Sequence, residues 1–252
     1  MILINIIGVI PARLNSTRLP NKVLLDIGGK PMIQHVWEQS TKTLLNKVVI
    51  ATDSIEVYEA CSKFGATVEM TSSDHQNGTE RIIEVAKKHS ADFYINIQGD
   101  EPFISSRLIN QIVEKKQSHP HVEIITAAHL STDESEWVSP NVVKVVLDNN
   151  EDAIYFSRAM IPFNRNNPDE IQFYRHIGIY GYSYEALKLY MRFNNSTLEK
   201  IESLEQLRFI ENNIKIKVVL TDYKCIGVDT FEDLERARLI YKEIKKDANQ
   251  DK

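Results

Sequence analysis

Cysteine is nearly absent: only Cys61 and Cys225 occur in 252 residues. Two distant thiols exclude a disulfide framework and a zinc knuckle, and they fit a reducing compartment. Basic excess is absent too, since the net charge is −5. A general nucleic-acid binder carries the opposite balance, so an anionic ligand would need a local group of cations. No apolar run approaches the roughly 20 residues that span a bilayer. The opening stretch MILINIIGVIPAR has no basic leader and no small-residue cleavage site, and it reads as a strand. Neither GxxxxGK[ST] nor GxGxxG occurs, so phosphate is not expected in a Walker loop or a dinucleotide fingerprint. Internal repeats and low-complexity segments are also missing. A soluble, cytoplasmic protein is expected.

What is present suffices for a core: 42% of residues are hydrophobic and 26% charged. Strand-like and helix-like runs alternate through the first half. Residues 2–10 are an apolar run apart from Asn5, as in a strand buried on both faces. KPMIQHVWEQSTKTLL places Met32, Ile33, Val36 and Trp37 on one helical face, with Pro31 at the first helical position. KVVIATD, ATVEMTS and DFYINI read as further strands. SIEVYEACSKFG reads as a helix capped by Asp53 or Ser54 and ended by Gly65. TERIIEVAKKHS reads as another, with Asn77-Gly78 as a turn and Thr79 as its cap. The alternation predicts an α/β fold: a mostly parallel sheet with helices on both faces.

The order changes after about residue 120. HVEIITAAHL, NVVKVVLD, AIYFSRAMI and HIGIYGYSY read as strands with few helices between them, which predicts a smaller mixed-strand lobe. TLEKIESLEQLRFIENN is expected as one helix, KIKVVLTD as a strand and TFEDLERARLIYKEIKK as a closing helix. A single domain over 1–252 is expected, with the lobe at approximately 130–195.

In open parallel sheets, ligands bind beyond the carboxyl ends of the strands. The stretch PARLNSTRLPNK sets Arg13, Arg18 and Lys22 just after the first strand. Arginine offers phosphate a planar fork and lysine a point charge, so these three cations could hold an anion or simply be solvated. In TSSDHQNGTER, a tight glycine turn would let backbone approach a base or ribose; the same residues also serve as turn and helix cap. QGDEP places Gln98 and Asp100 beyond an apolar strand. A carboxylate there could hold magnesium, or satisfy its own turn. In GVDTFED, Thr230 with Asp233 resembles a capping box, which would leave Asp229 as helix-entry charge. His176 alternates with apolar residues, a placement more often structural than catalytic.

Ten stretches, in order, resemble one family: PARLNSTRLPNK, IGGKPMIQHV, VVIATD, MTSSDHQNGTER, INIQGDEPFI, NVVKVVLD, YFSRAMIPF, YRHIGIYGY, LEQLR and GVDTFEDLERAR. The family is the CMP-Kdo synthetases, or 3-deoxy-manno-octulosonate (Kdo) cytidylyltransferases, of lipopolysaccharide synthesis. The resemblance covers residues 6 to about 240. It implies a Rossmann-like nucleotidyltransferase fold, CTP and Kdo as substrates, Mg²⁺ as cofactor and a homodimer joined through strands at 170–190. It gives Arg13, Lys22, Asp100 and Asp229 the catalytic roles, the two aspartates as the metal pair. It assigns Pro11, Ala12, Arg13, Arg18, Lys22, Ser73, Gly78 and Arg81 to the nucleotide. Gln98, Arg158, His176, Tyr180, Glu205 and Gln206 are assigned to the sugar. Phe231 stands where the family usually has proline. Rival readings are transfer of CMP to 8-amino-Kdo or another 2-keto sugar acid, a nucleotide-sugar glycosyltransferase, and a non-catalytic nucleotide binder. Glycosyltransferases often hold their metal with D-x-D, which this sequence lacks.

Overall fold

The computed structural model describes residues 4–14, 18–166, 170–194 and 196–250. Asn15, Ser16 and Thr17, in the middle of the basic stretch, lie outside the described residues. The elements in chain order begin with β1 (Ile6–Ala12), a single 3-10 turn (Lys22–Leu24), β2 (Asp26–Ile27), β3 (Lys30–Pro31) and α1 (Met32–Ser40). Then come β4 (Lys47–Thr52), α2 (Ile55–Lys63), β5 (Thr67–Met70), α3 (Gly78–Lys88), β6 (Phe93–Asn96) and α4 (Ser106–Ser118). They are followed by β7 (Ile124–Ser131), α5 (Glu134–Val138), β8 (Lys144–Leu147), β9 (Ala153–Ser157) and β10 (Phe173–Ser183). The last are α6 (Tyr184–Arg192), α7 (Thr197–Glu202), α8 (Leu207–Glu211), β11 (Lys217–Leu220) and α9 (Phe231–Gln250).

The chain divides into two compact units. The first is Met1–Asn110 with Cys225–Lys252, and the second is Gln111–Lys224, a wider span than the lobe expected at 130–195. In the first unit, β1 pairs in parallel with β6 on one side and β4 on the other, and β4 pairs in parallel with β5. Strand order therefore reverses at β1, the kind of switch point where α/β sheets open a crevice. The strands are apolar because both faces are covered: Ile6, Ile7, Val9, Ile10 and Ala12 are all buried. The second unit is mixed. β7 runs parallel to β11 and antiparallel to β10, and β8 pairs antiparallel with both β10 and β9.

Several expectations shift by a residue or more. β1 runs on through Pro11 and Ala12, so these two belong to the strand and not to the loop. Pro31 precedes α1 instead of opening it, because it still pairs with Asp26 in the β2–β3 hairpin. Ser54 caps α2 by accepting from the Val57 N–H. Asn77, not Thr79, caps α3, accepting from the Glu80 N–H at 2.9 Å. The helix expected over 197–213 is two, α7 and α8, because Ser203 turns left-handed at φ 52°.

One small core decides where the basic stretch and the last helix meet. Leu19, Ile27, Met32, Val228, Leu234 and Ala237 form a buried cluster, with Leu25, Phe103 and Tyr241 packed against it. Leu19 lies between Arg18 and Lys22, and Val228 precedes Asp229. Burying these two apolar residues together brings their charged neighbours to one place.

Candidate active site

The parallel strands β1, β4, β5 and β6 end on one rim, and the residues that follow them carry the site. Gly99 lets the end of β6 lie close against β1: a Cβ there would sit 2.9 Å from the Pro11 carbonyl oxygen. The next residue, Asp100, accepts the Val228 N–H at its carbonyl, 2.9 Å away. That backbone bond fastens GVDT to QGDE and sets Asp229 beside Asp100.

Lys22 lies between the two aspartates. Its Nζ donates to Asp100 Oδ2 at 2.6 Å and to Asp229 Oδ1 at 2.9 Å. Asn21, left-handed at φ 55°, opens the short turn that aims it. Burial alone would lower the Lys22 pKa, but Asp100 and Asp229 together hold it above the ordinary lysine value. Arg18 reaches Asp229 Oδ2 at 3.2 Å and is 67% exposed, so one of its faces is open to a ligand. Thr230 and Asp233 make the capping box of α9 by themselves: Asp233 Oδ2 accepts both the Thr230 N–H and its hydroxyl, and Thr230 Oγ1 accepts the Asp233 N–H. The Asp229 carboxylate is thus left to the cations.

The 72–77 loop is held from α3. Glu84 accepts the Ser72 N–H at 2.8 Å and binds the His75 ring at 2.7 Å, while Glu80 accepts the Gln76 N–H. Burial would raise the Glu84 pKa, but the Ser72 N–H, His75 and Lys88 outweigh it and bring it to about 2. The Arg13 guanidinium donates to the His75 carbonyl, which ties the basic stretch to this loop. Ser73 is exposed, and Gly78 is the first residue of α3.

Arg81 is placed differently from an exposed nucleotide contact: it is 0% exposed. Its guanidinium donates to Thr71 Oγ1 and, at 2.8 Å, to Asp53 Oδ2. It locks the ends of β4 and β5 together beneath the loop. Arg81→Met should therefore lower unfolding free energy by about 2–3 kcal/mol, because the Asp53 carboxylate, 20% exposed, and the Thr71 hydroxyl lose their partner. Arg81→Lys should recover only part, since an ammonium lacks the fork. Urea unfolding checks this; a loss under about 1 kcal/mol in Arg81→Met would contradict the buried pairing.

The other assigned residues, Gln98 apart, lie in the second unit. His176 Nε2 is 3.1 Å from Thr126 Oγ1, and its ring packs against Phe156 and Tyr180 at centroid distances of 5.1 and 5.3 Å. Tyr180 stacks on Tyr182, which meets Phe209 of α8. Gln206, at the start of α8, is buried, and Glu205 accepts the Tyr190 hydroxyl at 3.2 Å. Among the described residues the buried Tyr180 hydroxyl has the Thr126 hydroxyl as its neighbour and makes no well-formed hydrogen bond, which suits it to meeting a polar ligand. Arg158 is anchored by carbonyls of Glu202, Pro140 and Ser203. Sequence reading passed over Thr126, which sits inside an apolar strand; its only signal is a hydroxyl at a buried position.

Desolvation pushes His176 down to about 3 from 6.5. The folded imidazole stays neutral while the unfolded one takes a proton, so stability is complete above pH 6.5 and falls as pH drops toward 3. The slope from this one group approaches about 1.4 kcal/mol per pH unit below 6. Urea unfolding at pH 7.5 and pH 5 should show that loss, and His176→Phe should reduce it. An identical pH dependence in the variant would contradict the burial of a neutral ring.

The cytidylyltransferase family model matches residues 7–216. The 3-deoxy-manno-octulosonate cytidylyltransferase of Solibacter usitatus is 47% identical over 94% of this chain and 94% of its own. The chain belongs to the 3-deoxy-manno-octulosonate cytidylyltransferase family. A second relative, 3-deoxy-manno-octulosonate cytidylyltransferase 2 of Actinobacillus pleuropneumoniae serotype 5b, is 47% identical over 92% of this chain and 96% of its own. Among solved structures, CMP:2-keto-3-deoxy-manno-octonic acid synthetase complexed with CTP superposes with a TM-score of 0.91 at 40% identity, covering 95% of this chain and 99% of that one. The mostly parallel α/β sheet expected from the alternating elements, and the nucleotidyltransferase fold that the resemblance implies, both agree with this match.

Proposed function

We propose that this chain transfers CMP from CTP to the anomeric hydroxyl of Kdo, giving CMP-Kdo and pyrophosphate. The observation that carries the reading is Lys22 bridging Asp100 and Asp229 beside Arg18, at the strand-end rim of a chain of this family. The anomeric oxygen forms a bond to the α-phosphorus and gives up its proton. The bond from that phosphorus to the α,β-bridging oxygen breaks, and its electrons leave with pyrophosphate. Such transfer needs positioning and charge neutralisation more than covalent chemistry from the protein.

Arg13, Arg18 and Lys22 neutralise the triphosphate. Pro11, Ala12, Ser73 and Gly78 border the nucleotide, and Arg81 shapes that border from beneath. Asp100 and Asp229 fit a hard divalent cation: both reach one point, and Mg²⁺ is normally bound by one or two carboxylates with substrate phosphates and water as the rest. No group of three or more metal-binding side chains occurs among the described residues, so with Lys22 already seated between the two aspartates such an ion would depend on substrate oxygens. Bound there, Mg²⁺ would offset phosphate charge and polarise the attacking hydroxyl. Gln98, Arg158, His176, Tyr180, Glu205 and Gln206 recognise the sugar acid, with His176 acting as a neutral hydrogen-bonding ring.

Two further parts of the proposal concern setting. No described helix is long and apolar enough to cross a membrane, and both cysteines are free thiols, which supports a cytoplasmic enzyme. A homodimer is the proposed assembly. β10 is interior, flanked by β7 and β8, so pairing between copies would use another edge. Mass spectrometry of products from CTP with Kdo, 8-amino-Kdo and a sialic-acid-like sugar tests the substrate. CMP-Kdo should dominate; a product confined to another sugar would overturn the choice of Kdo.

A further inference from the structure

Lys144 interrupts the apolar stretch NVVKVVLD, and the structure puts it where charge is costly. It is 0% exposed on β8. Its Nζ donates to the carbonyls of Ser139 at 2.8 Å, Val142 at 2.9 Å and Arg158 at 2.9 Å. An ammonium has three N–H donors and a neutral amine two, so three acceptors select the charged form. All three partners are uncharged, and among the described residues no ion pair joins Lys144 to a carboxylate.

Arg158 repeats the pattern. Nε donates to the Glu202 carbonyl at 2.8 Å, Nη1 to the Pro140 carbonyl at 2.9 Å and Nη2 to the Ser203 carbonyl at 3.4 Å. Carbonyls satisfy donors without cancelling charge. The nearby carboxylate of Glu202 accepts the Ser157 hydroxyl and the Arg158 N–H. Arg175, opposite Lys144 on β10, is already paired with Glu136. Two cations therefore share one carboxylate. The Lys144 pKa is lowered, first by burial and then by Arg158, with Glu202 acting the other way. Burying charge without a direct counter-ion is destabilising, so among the described residues the three carbonyls alone hold the Lys144 ammonium.

We propose that Lys144 is a positioning residue for the acid group of the substrate. It stitches the 139–142 loop to Arg158 and leaves the Arg158 guanidinium with uncancelled charge and spare N–H donors for a sugar carboxylate. The inference rests on the reading of a 2-keto sugar acid as substrate.

The test uses the full chain with Lys144→Gln, which keeps donors and removes charge, and Lys144→Arg, which keeps both. Turnover is measured with Kdo and with its uncharged methyl ester at saturating CTP, and CTP affinity by calorimetry without sugar. The wild-type preference for the acid over the ester should fall about tenfold in Lys144→Gln, mainly through KM for Kdo, with CTP affinity unchanged. Lys144→Arg should keep most of the preference. An unchanged acid-to-ester ratio in Lys144→Gln, whatever its total activity, would overturn the proposal alone. Loss of the ratio in Lys144→Arg would do the same, and it decides the matter should Lys144→Gln fail to fold. Wild-type protein with no turnover on Kdo would overturn the functional reading and this inference together.

Discussion

Asp229→Asn is expected to lower turnover roughly a hundredfold or more while shifting Tm by only a few degrees. The geometry separates the two effects. The start of α9 is capped by Thr230 and Asp233, so Asn at 229 leaves that capping box intact. The Asp229 side chain is 48% exposed, and its ion pairs with Arg18 and Lys22 add little net stability at such a surface. Its carboxylate matters once substrate phosphates and a divalent cation gather beside Asp100. Asp100→Asn should cost a similar factor. The double variant should cost little more than either single one, because groups that act as one unit are non-additive. Steady-state turnover and melting, measured on the same samples with saturating Mg²⁺, check this. An active but markedly less stable Asp229→Asn would assign the residue to the helix start instead.

Lys22→Ala is expected to lose turnover to a comparable extent and to change how the free protein responds to metal. In the wild type, one ammonium lies against both aspartates. Removing it leaves two carboxylates facing each other with only the exposed Arg18 nearby, and their repulsion destabilises the fold. A divalent cation can then take the vacated position. Millimolar Mg²⁺ should raise the Tm of Lys22→Ala clearly more than that of the wild type, in which the lysine already compensates the pair. Lys22→Arg should restore charge but not full turnover, since a planar fork does not replace a point charge. If Lys22→Ala turned over normally at low CTP, or if its Tm ignored Mg²⁺, the shared cation position would be wrong.

The strands and their ends were legible because β1, β4 and β6 are continuous apolar runs closed by polar turns. Their parallel pairing then set Arg13, Asp53 and the 71–73 and 98–100 segments beyond the strand ends on one rim. The meeting of Asp100 with Asp229 was not legible from spacing. It depends on the Val228 N–H reaching the Asp100 carbonyl and on Leu19 and Val228 sharing a core cluster, contacts between segments far apart in the chain. The burial of Arg81 was not legible either, because it depends on the tertiary positions of Asp53 and Thr71. The break at Ser203 escaped because the apolar spacing of Leu198, Ile201, Leu204 and Leu207 continues across a left-handed residue. Asn77 and Thr79 are both good caps, and backbone geometry chose between them.

The most direct measurement of the central claim is the yield of products from CTP, Kdo and Mg²⁺ over time. CMP-Kdo and pyrophosphate should appear one for one, only when the sugar is present, and at a rate that collapses in Asp229→Asn. Release of pyrophosphate without sugar, or a full rate in Asp229→Asn, would contradict an active site built from Lys22, Asp100 and Asp229.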